Sequence, residues 1–501
     1  DSPGNVRAEL LAQRCTAGGR FLGLARGGIR DAPTVRALRF GERLCRAGEA
    51  THEAERVNGF FLFAGLPWPV VILFTIALVI VLIGHGWAIV LFIVGGTAVK
   101  TAPNRSTELT DSFHWVFIVP ALDEEVTIAD SVNRLREVNA RHRTILVIDD
   151  GSTDRTPEVL AGMAGPDLEV LRRDPPNARK GKAAALNAAW QHVRGEVMQR
   201  PSFAHADDEN TIFVIVDADG RLDPEAPAAI AAQMQDPLVG GVQLSVRIYN
   251  RFNPLTWMQD VEFGVYGGLY QIGRTEWGTA GMGGNGQANR LSALNSVVAP
   301  GAPGPWRDTL TEDQDIGLQL LEAGWRGTHE VRATVAQQGV SDLRRLYRQR
   351  TRWSQGNLQA MSHLSKIKDV RCSTIAKLDL FWALLQPPLQ AIVGLATIVA
   401  LFFAIFLGTP FISEGTQWAW LWLAFLFFLA FGGTAIGCMA SGRGNGFMGY
   451  VKGLVIAIPY AFYSWILWPV IVRATWRQFR GASGWDKTTR EPLEADTSAA
   501  R

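Results

Sequence analysis

The sequence predicts an α/β domain with a mainly parallel, Rossmann-like sheet, inserted between N- and C-terminal blocks of transmembrane α-helix. Three observations predict it. Residues 57–99, 380–413, 415–442 and 453–472 contain no Asp, Glu, Lys or Arg, and about 20 mostly apolar residues are enough to cross a bilayer. The stretch between the blocks, 100–364, is polar and alternates β-branched runs with helical patterns, the signature of a parallel sheet. Several of those apolar runs stop at carboxylates, as in "TILVIDD" and "TIFVIVDAD".

Along the chain, residues 1–56 carry ten Arg and no long apolar run. By the positive-inside rule they are expected on the cytoplasmic side, as a surface-seeking segment or a tail. Residues 57–99 would span ~64 Å as one helix. That suffices for two crossings, with Gly84-His85-Gly86 as the hairpin, which returns the soluble domain to the cytoplasm. The C-terminal block, 365–475 with an interfacial helix at its start, contributes another pair from 380–413 and 415–442. Its last run is interrupted by Pro459 and Pro469, and Pro387-Pro388 mark a further break. The number of crossings, and so the side of the tail 476–501, stays open. The expected location is the plasma (inner) membrane, multi-pass, with the lipid bilayer as partner. A net charge of +2 argues against a nucleic-acid partner. Cys15, Cys45, Cys372 and Cys438 have neither metal-ligand nor disulfide spacing.

Within the soluble domain, "WVFIVPA" (115–121), "TILVIDD" (144–150) and "TIFVIVDAD" (211–219) read as strands, and "GKAAALNAAW" (181–190) as a helix. In an open α/β sheet, ligands bind beyond the carboxyl ends of the strands. Asp149, Asp150, Asp217 and Asp219 all sit at such ends and should face one crevice. The D-x-D pair Asp217/Asp219 offers hard oxygen ligands suited to Mg²⁺ or Mn²⁺, which bind a few carboxylates together with phosphate oxygens. "TLTEDQDIG" places Glu312, Asp313 and Asp315 at a helix start, and "RQRTRWSQG" places Gln349, Arg350, Arg352 and Trp353 just before the second membrane block. Gly281, Gly283 and Gly286 form a G-x-G-x-x-G. No ribose-binding acid follows at the right distance, so it is not a dinucleotide fingerprint.

The ordered set strand–DDGS, K-x-x-x-L-N, D-x-D, T-E-D and Q-R-x-R-W resembles the processive family 2 glycosyltransferases, the cellulose, hyaluronan and chitin synthase group. The likeness covers about 113–360 and the membrane arrangement. It implies a GT-A fold and an inverting transfer from a UDP-sugar to the non-reducing end of a β-linked polysaccharide acceptor, with secretion through the enzyme's own channel. Asp149, Asp150, Lys182, Arg350 and Arg352 would then bind the nucleotide diphosphate, and Asp219 with Asp217 the metal. Asp313 would be the general base, with Glu312 placing the acceptor. Trp353, Gln349, Gly284 and Asn285 would meet the acceptor. "WDKTTR" resembles a gating element and implicates Trp485, Lys487, Thr488 and Arg490. "GGNG" leans towards glucan synthesis, hence UDP-glucose first and UDP-N-acetylglucosamine second. Accessory export proteins are conceivable partners. The rival within the class is a non-processive enzyme adding one sugar to a lipid. The rival outside it, a transporter with a sensing domain, should hold ionisable residues at membrane depth, and the four runs hold almost none.

Overall fold

A computed structural model describes residues 66–407 and 419–482 of the chain. Each apolar run predicted as a strand becomes one. The eight strands are β1 (His114–Ala121), β2 (Arg143–Asp149), β3 (Leu168–Arg172), β4 (Thr211–Ile215), β5 (Arg221–Leu222), β6 (Val239–Ile248), β7 (Gln287–Arg290) and β8 (Arg326–Gln337). They form one sheet in the order β3-β2-β1-β4-β7-β6-β8-β5. β3, β2, β1 and β4 pair in parallel, β7 runs against β4 and β6, β8 is parallel to β6, and β5 is antiparallel to β8. The sheet is therefore mainly parallel.

The period-2 alternation of strand side chains divides the core into two layers. Trp115, Phe117, Val119, Ile145, Val147, Ile212 and Val214 point to one face, under the Ile128–Arg136 and Ala226–Gln233 helices. Val116, Ile118, Leu146, Ile148, Phe213 and Ile215 point to the other, under Ala185, Leu186 and Ala189 of the Lys182–Gly195 helix. With both faces covered, the strands can be apolar throughout. That is why they read as continuous apolar runs. Residues 196–210, ahead of β4, include two short 3₁₀ turns, and Phe203 is buried there. Asp208 accepts a hydrogen bond from Asn295 Nδ2 at 2.7 Å.

Among the described residues, four helical stretches are long and apolar enough to cross a membrane: Trp68–Lys100, Gln386–Phe406, Leu423–Ser441 and Arg443–Phe479. They flank the sheet domain on both sides, and the chain is a multi-pass membrane protein. The expected hairpin at Gly84-His85-Gly86 is not there. One 33-residue helix runs straight through it, so this segment supplies one crossing in place of two. The reason is packing. His85 Nε2 lies 3.0 Å from the Phe428 carbonyl oxygen and 3.0 Å from the Gly433 nitrogen. Helical glycines are tolerated where a neighbouring helix comes close.

The Pro387-Pro388 break is real. A Thr374–Leu384 helix ends there, and the next begins at Gln386. Pro459 lies inside the Gly446–Leu467 helix, whereas Pro469 opens a separate amphipathic helix, Pro469–Phe479. That last helix is tied back to the domain. Arg477 donates to Gln355 Oε1 at 3.1 Å, and Gln355 donates to the Ala482 carbonyl at 2.7 Å.

The chain divides into two compact units, one of Asp1–Ile72 and Phe403–Ala419, the other of Leu73–Phe402 and Trp420–Arg501. In the first, the described residues are the start of the Trp68–Lys100 helix and the end of the Gln386–Phe406 helix. The sheet and the groups described below belong to the second. The Arg-rich segment 1–56 and the residues Trp485, Lys487, Thr488 and Arg490 lie outside the described residues.

Candidate active site

The strand-end acids come first. Asp149 is the last residue of β2 and is buried. It accepts from Ser152 N at 2.9 Å and takes the Arg172 guanidinium. Asp150 pairs with Arg173 Nη1 at 2.6 Å. Burial pushes its carboxyl above the ordinary range, against the pull of Arg173. Gly151 turns the chain here at φ +77°, and a Cβ on it would lie 2.8 Å from the Ala178 Cβ. Arg172 and Arg173, from the end of the adjacent β3, were not singled out in the sequence. Their link to the acids is the parallel β2–β3 register, in which Asp149 faces Arg172.

A second group forms where β4 ends. Lys182, the first residue of its helix, donates to Asp217 Oδ1 at 2.6 Å and lies 3.8 Å from Glu312 Oε1. Burial alone would depress the Lys182 ammonium, but Asp217 and Glu312 outweigh it and hold it above its usual range. Glu312 and Asp313 open the Glu312–Glu322 helix. Burial first, and then the Asp313 charge, push the Glu312 carboxyl up to about 7 against Lys182 and Arg352. Burial also raises Asp313, while Lys182, the Gln314 N–H and Arg352 pull it down. Gly284, at φ +81°, sits directly behind them. A Cβ there would be 2.9 Å from Asp313 Oδ2 and 3.3 Å from Lys182 Nζ. Asn285 is structural glue beneath the group. It accepts from Asp217 N at 3.1 Å and donates to Gln337 Oε1 at 2.9 Å. Asp219 is buried, and its Oδ2 accepts from Gln338 N at 3.0 Å.

The third part is the Leu343–Ala360 helix, capped by Asp342, which accepts from Arg345 N. Its two expected phosphate arginines go different ways. The charge of Arg352 reaches Glu312 and Asp313. Arg350 is instead buried against Glu262, with Nη2 2.6 Å from Oε2. Its guanidinium carbon lies 4.0 Å over the Trp353 ring, and Nη1 donates to Gln349. Tyr463, from the Gly446–Leu467 helix, donates to the same Glu262 oxygen at 2.8 Å. Arg350 thus links Trp353 and Gln349, through Glu262, to Tyr463 on a membrane helix, and its charge is met by Glu262 as that of Lys182 is met by Asp217. Glu262 and Tyr463 carried no sequence signal, because each meets Arg350 only through the tertiary fold.

An oxygen-only set of Asp217 and Asp219 suits a hard divalent ion and the oxygens of a diphosphate. A different cluster, Glu169, His192 and Glu196, brings its ligand atoms within 4.8 Å of one another. Its Glu169 is already forked by Arg200, at 2.8 and 2.7 Å. Asp217 likewise already meets a cation, Lys182 at 2.6 Å, so the choice rests on ligand type: carboxylate oxygens suit Mg²⁺ or Mn²⁺, and a histidine nitrogen suits softer transition metals.

Residues 212–434 match the sequence profile of "glycosyl transferase family group 2", and residues 116–297 that of "glycosyl transferase family 2". A beta-monoglucosyldiacylglycerol synthase from Nostoc sp. is 30% identical over 263 residues, 50% of this chain and 51% of the relative. A poly-beta-1,6-N-acetyl-D-glucosamine synthase from Staphylococcus aureus is 25% identical over 250 residues, 49% and 55% of the two chains. The chain thus spans about half the length of the curated relatives it matches. Among solved structures, a mannosyltransferase from Pyrobaculum calidifontis in complex with GDP-Man and Mn²⁺ superposes with a TM-score of 0.52 at 18% identity, over 82% of this chain and 99% of that one. That likeness is one of fold. Residues 116–434 thus resemble the family 2 glycosyltransferases in sequence, with a GT-A-like sheet set among helices long and apolar enough to span a membrane.

Proposed function

We propose that this protein is an inverting, membrane-embedded glycosyltransferase that moves one sugar from a UDP-sugar, UDP-glucose first, to the hydroxyl of a lipid acceptor. The observation that carries this reading is the Arg350–Glu262–Tyr463 chain. It fastens Trp353 and Gln349, the expected acceptor contacts, to a membrane helix. An acceptor that reaches them from the bilayer is naturally a lipid. The Nostoc relative, named for a glucosylated diacylglycerol, supports the same choice.

In this reading the uridine end of the donor lies by Asp149 and Asp150. Lys182 and Arg352 present fixed positive charge to the diphosphate. Asp313 accepts the proton of the acceptor hydroxyl as the oxygen attacks the anomeric carbon from the face opposite the leaving group. The new C–O bond forms, the bond to phosphate breaks, and UDP departs with the bonding pair. Glu312 shares the buried site and orients the acceptor. Mg²⁺ or Mn²⁺, held by Asp219 and Asp217, would neutralise charge on the diphosphate.

A second reading, processive polysaccharide synthesis with export, is favoured by the Q-R-x-R-W stretch (349–353), and it alone calls for accessory export proteins. In either reading we propose that the catalytic domain faces the cytoplasm, where UDP-sugars are made. The test uses the purified full chain in lipid nanodiscs with Mn²⁺ or Mg²⁺ and radiolabelled UDP-glucose, UDP-N-acetylglucosamine or UDP-galactose. Label in a small, solvent-extractable lipid supports the proposal. High-molecular-weight label overturns it in favour of the synthase.

A further inference from the structure

A buried histidine outside the expected site has both ring nitrogens engaged by carboxylates. His363 is 3% exposed and lies just past the Leu343–Ala360 helix. Its Nε2 is 2.8 Å from Asp315 Oδ1, and its Nδ1 is 2.5 Å from Glu322 Oε1. Asp315 and Glu322 lie two turns apart on the helix that begins with Glu312 and Asp313. A neutral imidazole has one N–H and one lone pair. Facing two carboxylates, it would turn the lone pair on an anion, so the geometry selects the imidazolium. The surrounding charges are Lys366, 3.2 Å from Glu322, and Arg307, 3.9 Å from Asp315, while Gln319 donates to the other Asp315 oxygen at 2.7 Å.

The same two segments meet twice more, where Leu310 and Thr311 lead into the Glu312–Glu322 helix. Gln359 accepts from Leu310 N at 3.0 Å. A Cβ on Gly356 would run into the Thr311 side chain, so glycine allows the close crossing. Three successive turns therefore clamp the segment that carries the acids to the segment that carries Arg352 and Trp353.

We propose that His363 is a positioning residue: its imidazolium fixes the angle between the Glu312–Asp313 helix and the Arg352–Trp353 helix, and so the distance from base to acceptor. The proposal rests on the reading of Asp313 as the base. The carboxylates hold the imidazole proton up to about 9, after burial, which opposes them, is overcome. The clamp is then charged throughout the neutral range and released above it.

The test compares the full-length wild type with His363→Gln and Glu322→Gln in nanodiscs. For His363→Gln, kcat is expected to fall about tenfold or more, as for a misplaced reacting group, with UDP affinity within about twofold of wild type. Wild-type activity should decline above pH about 9. Glu322→Gln should move that decline to lower pH, and it serves equally if His363→Gln fails to fold. An unchanged kcat in His363→Gln, equal losses of kcat and UDP affinity, or an alkaline limb that ignores Glu322→Gln would overturn the proposal. Amide exchange over 308–316 needs no donor. Faster exchange there in either variant supports the clamp, and unchanged exchange refutes it. If the wild type transfers no sugar from any donor, the proposed function fails while the exchange result still decides the clamp.

Discussion

Replacing Asp313 with Asn removes one charge and one proton acceptor and keeps the shape. The Asn oxygen can still accept from Gln314 N, which donates to Asp313 Oδ1 at 2.8 Å. Lys182 keeps Asp217 at 2.6 Å and Glu312 at 3.8 Å. Neither the fold nor the diphosphate side of the site should change, so UDP affinity is expected within about twofold of wild type. What is lost is the general base, worth about 10²–10⁴ in rate, or roughly 2.7–5.4 kcal/mol of barrier. Glu312 is not a ready substitute, because its carboxylate already faces Lys182. The assay is kcat for sugar transfer alongside calorimetric UDP binding. A variant that turns over within about tenfold of wild type would refute the base assignment. If Glu312→Gln instead showed the large loss, the two roles would be exchanged.

Four further outcomes follow from the same geometry. Burial raises both acids, helped at Glu312 by the Asp313 charge and at Asp313 by the Asp217 charge, with Glu312 at about 7. Lowering the pH through neutrality therefore returns a proton to the pair, and kcat/KM should fall up to about tenfold per unit on the acid side; a flat profile down to pH 5 would contradict this. Gly284→Ala forces a side chain into left-handed backbone, a cost of about 1–2 kcal/mol, and drives its Cβ against Asp313 Oδ2; both Tm and kcat should drop, and wild-type values for both would count against the packed loop. Glu262→Gln leaves the Arg350 charge buried and uncompensated. Since the Glu262 side chain is 28% exposed, the loss should be about 2–3 kcal/mol, below the usual 3–5 for a broken buried pair; it should appear as a lower Tm and a raised acceptor KM with donor KM unchanged. Stripping metal with EDTA should abolish transfer, with Mn²⁺ or Mg²⁺ restoring it, and Asp219→Ala should remove the Mn²⁺ dependence of UDP binding; UDP affinity that responds to Mn²⁺ equally in wild type and variant would exclude Asp219 as a ligand.

The acids of the site were legible because they interrupt apolar runs. Asp149 ends β2, and Asp217 follows two residues after β4, so strand ends seen in the sequence are strand ends in the sheet. Gly284 and Asn285 were legible through a glycine-rich loop that needs positive φ. The partners were not. Arg173 meets Asp150 through strand pairing, Glu262 and Tyr463 meet Arg350 across 88 residues and across the fold, and His363 meets Asp315 across 48. None of these contacts leaves a local period. The hairpin expected at Gly84-His85-Gly86 failed for a related reason. Glycine marks turns in water, but a membrane-spanning helix keeps its backbone hydrogen bonds within itself, and His85 between the two glycines packs beside Gly432 and Gly433.

Three polar ties join the membrane helices to the elements that carry the site. Trp87 donates to Asp379 at 2.6 Å, and Arg274 pairs with the same wholly buried carboxylate at 2.6 Å. Tyr463 reaches Glu262 and thereby Arg350, and Arg477 reaches Gln355 on the same helix as Arg352 and Trp353. Buried ion pairs seldom add much net stability, because desolvation offsets their attraction. Their effect here is on geometry. Two of the three ties end on the Leu343–Ala360 helix. The side chains on the sheet ends, Asp149, Asp150 and Asp217, are set by strand register and by partners within the sheet domain, Arg172, Arg173, Lys182 and Asn285. The positions of Trp353 and Gln349 depend on how the last membrane helices pack. If Asp149, Asp150 and Asp217 meet the donor and Trp353 and Gln349 the acceptor, as proposed, the donor half of the site is a property of the sheet domain and the acceptor half is coupled to the membrane helices through Arg350, Glu262 and Tyr463.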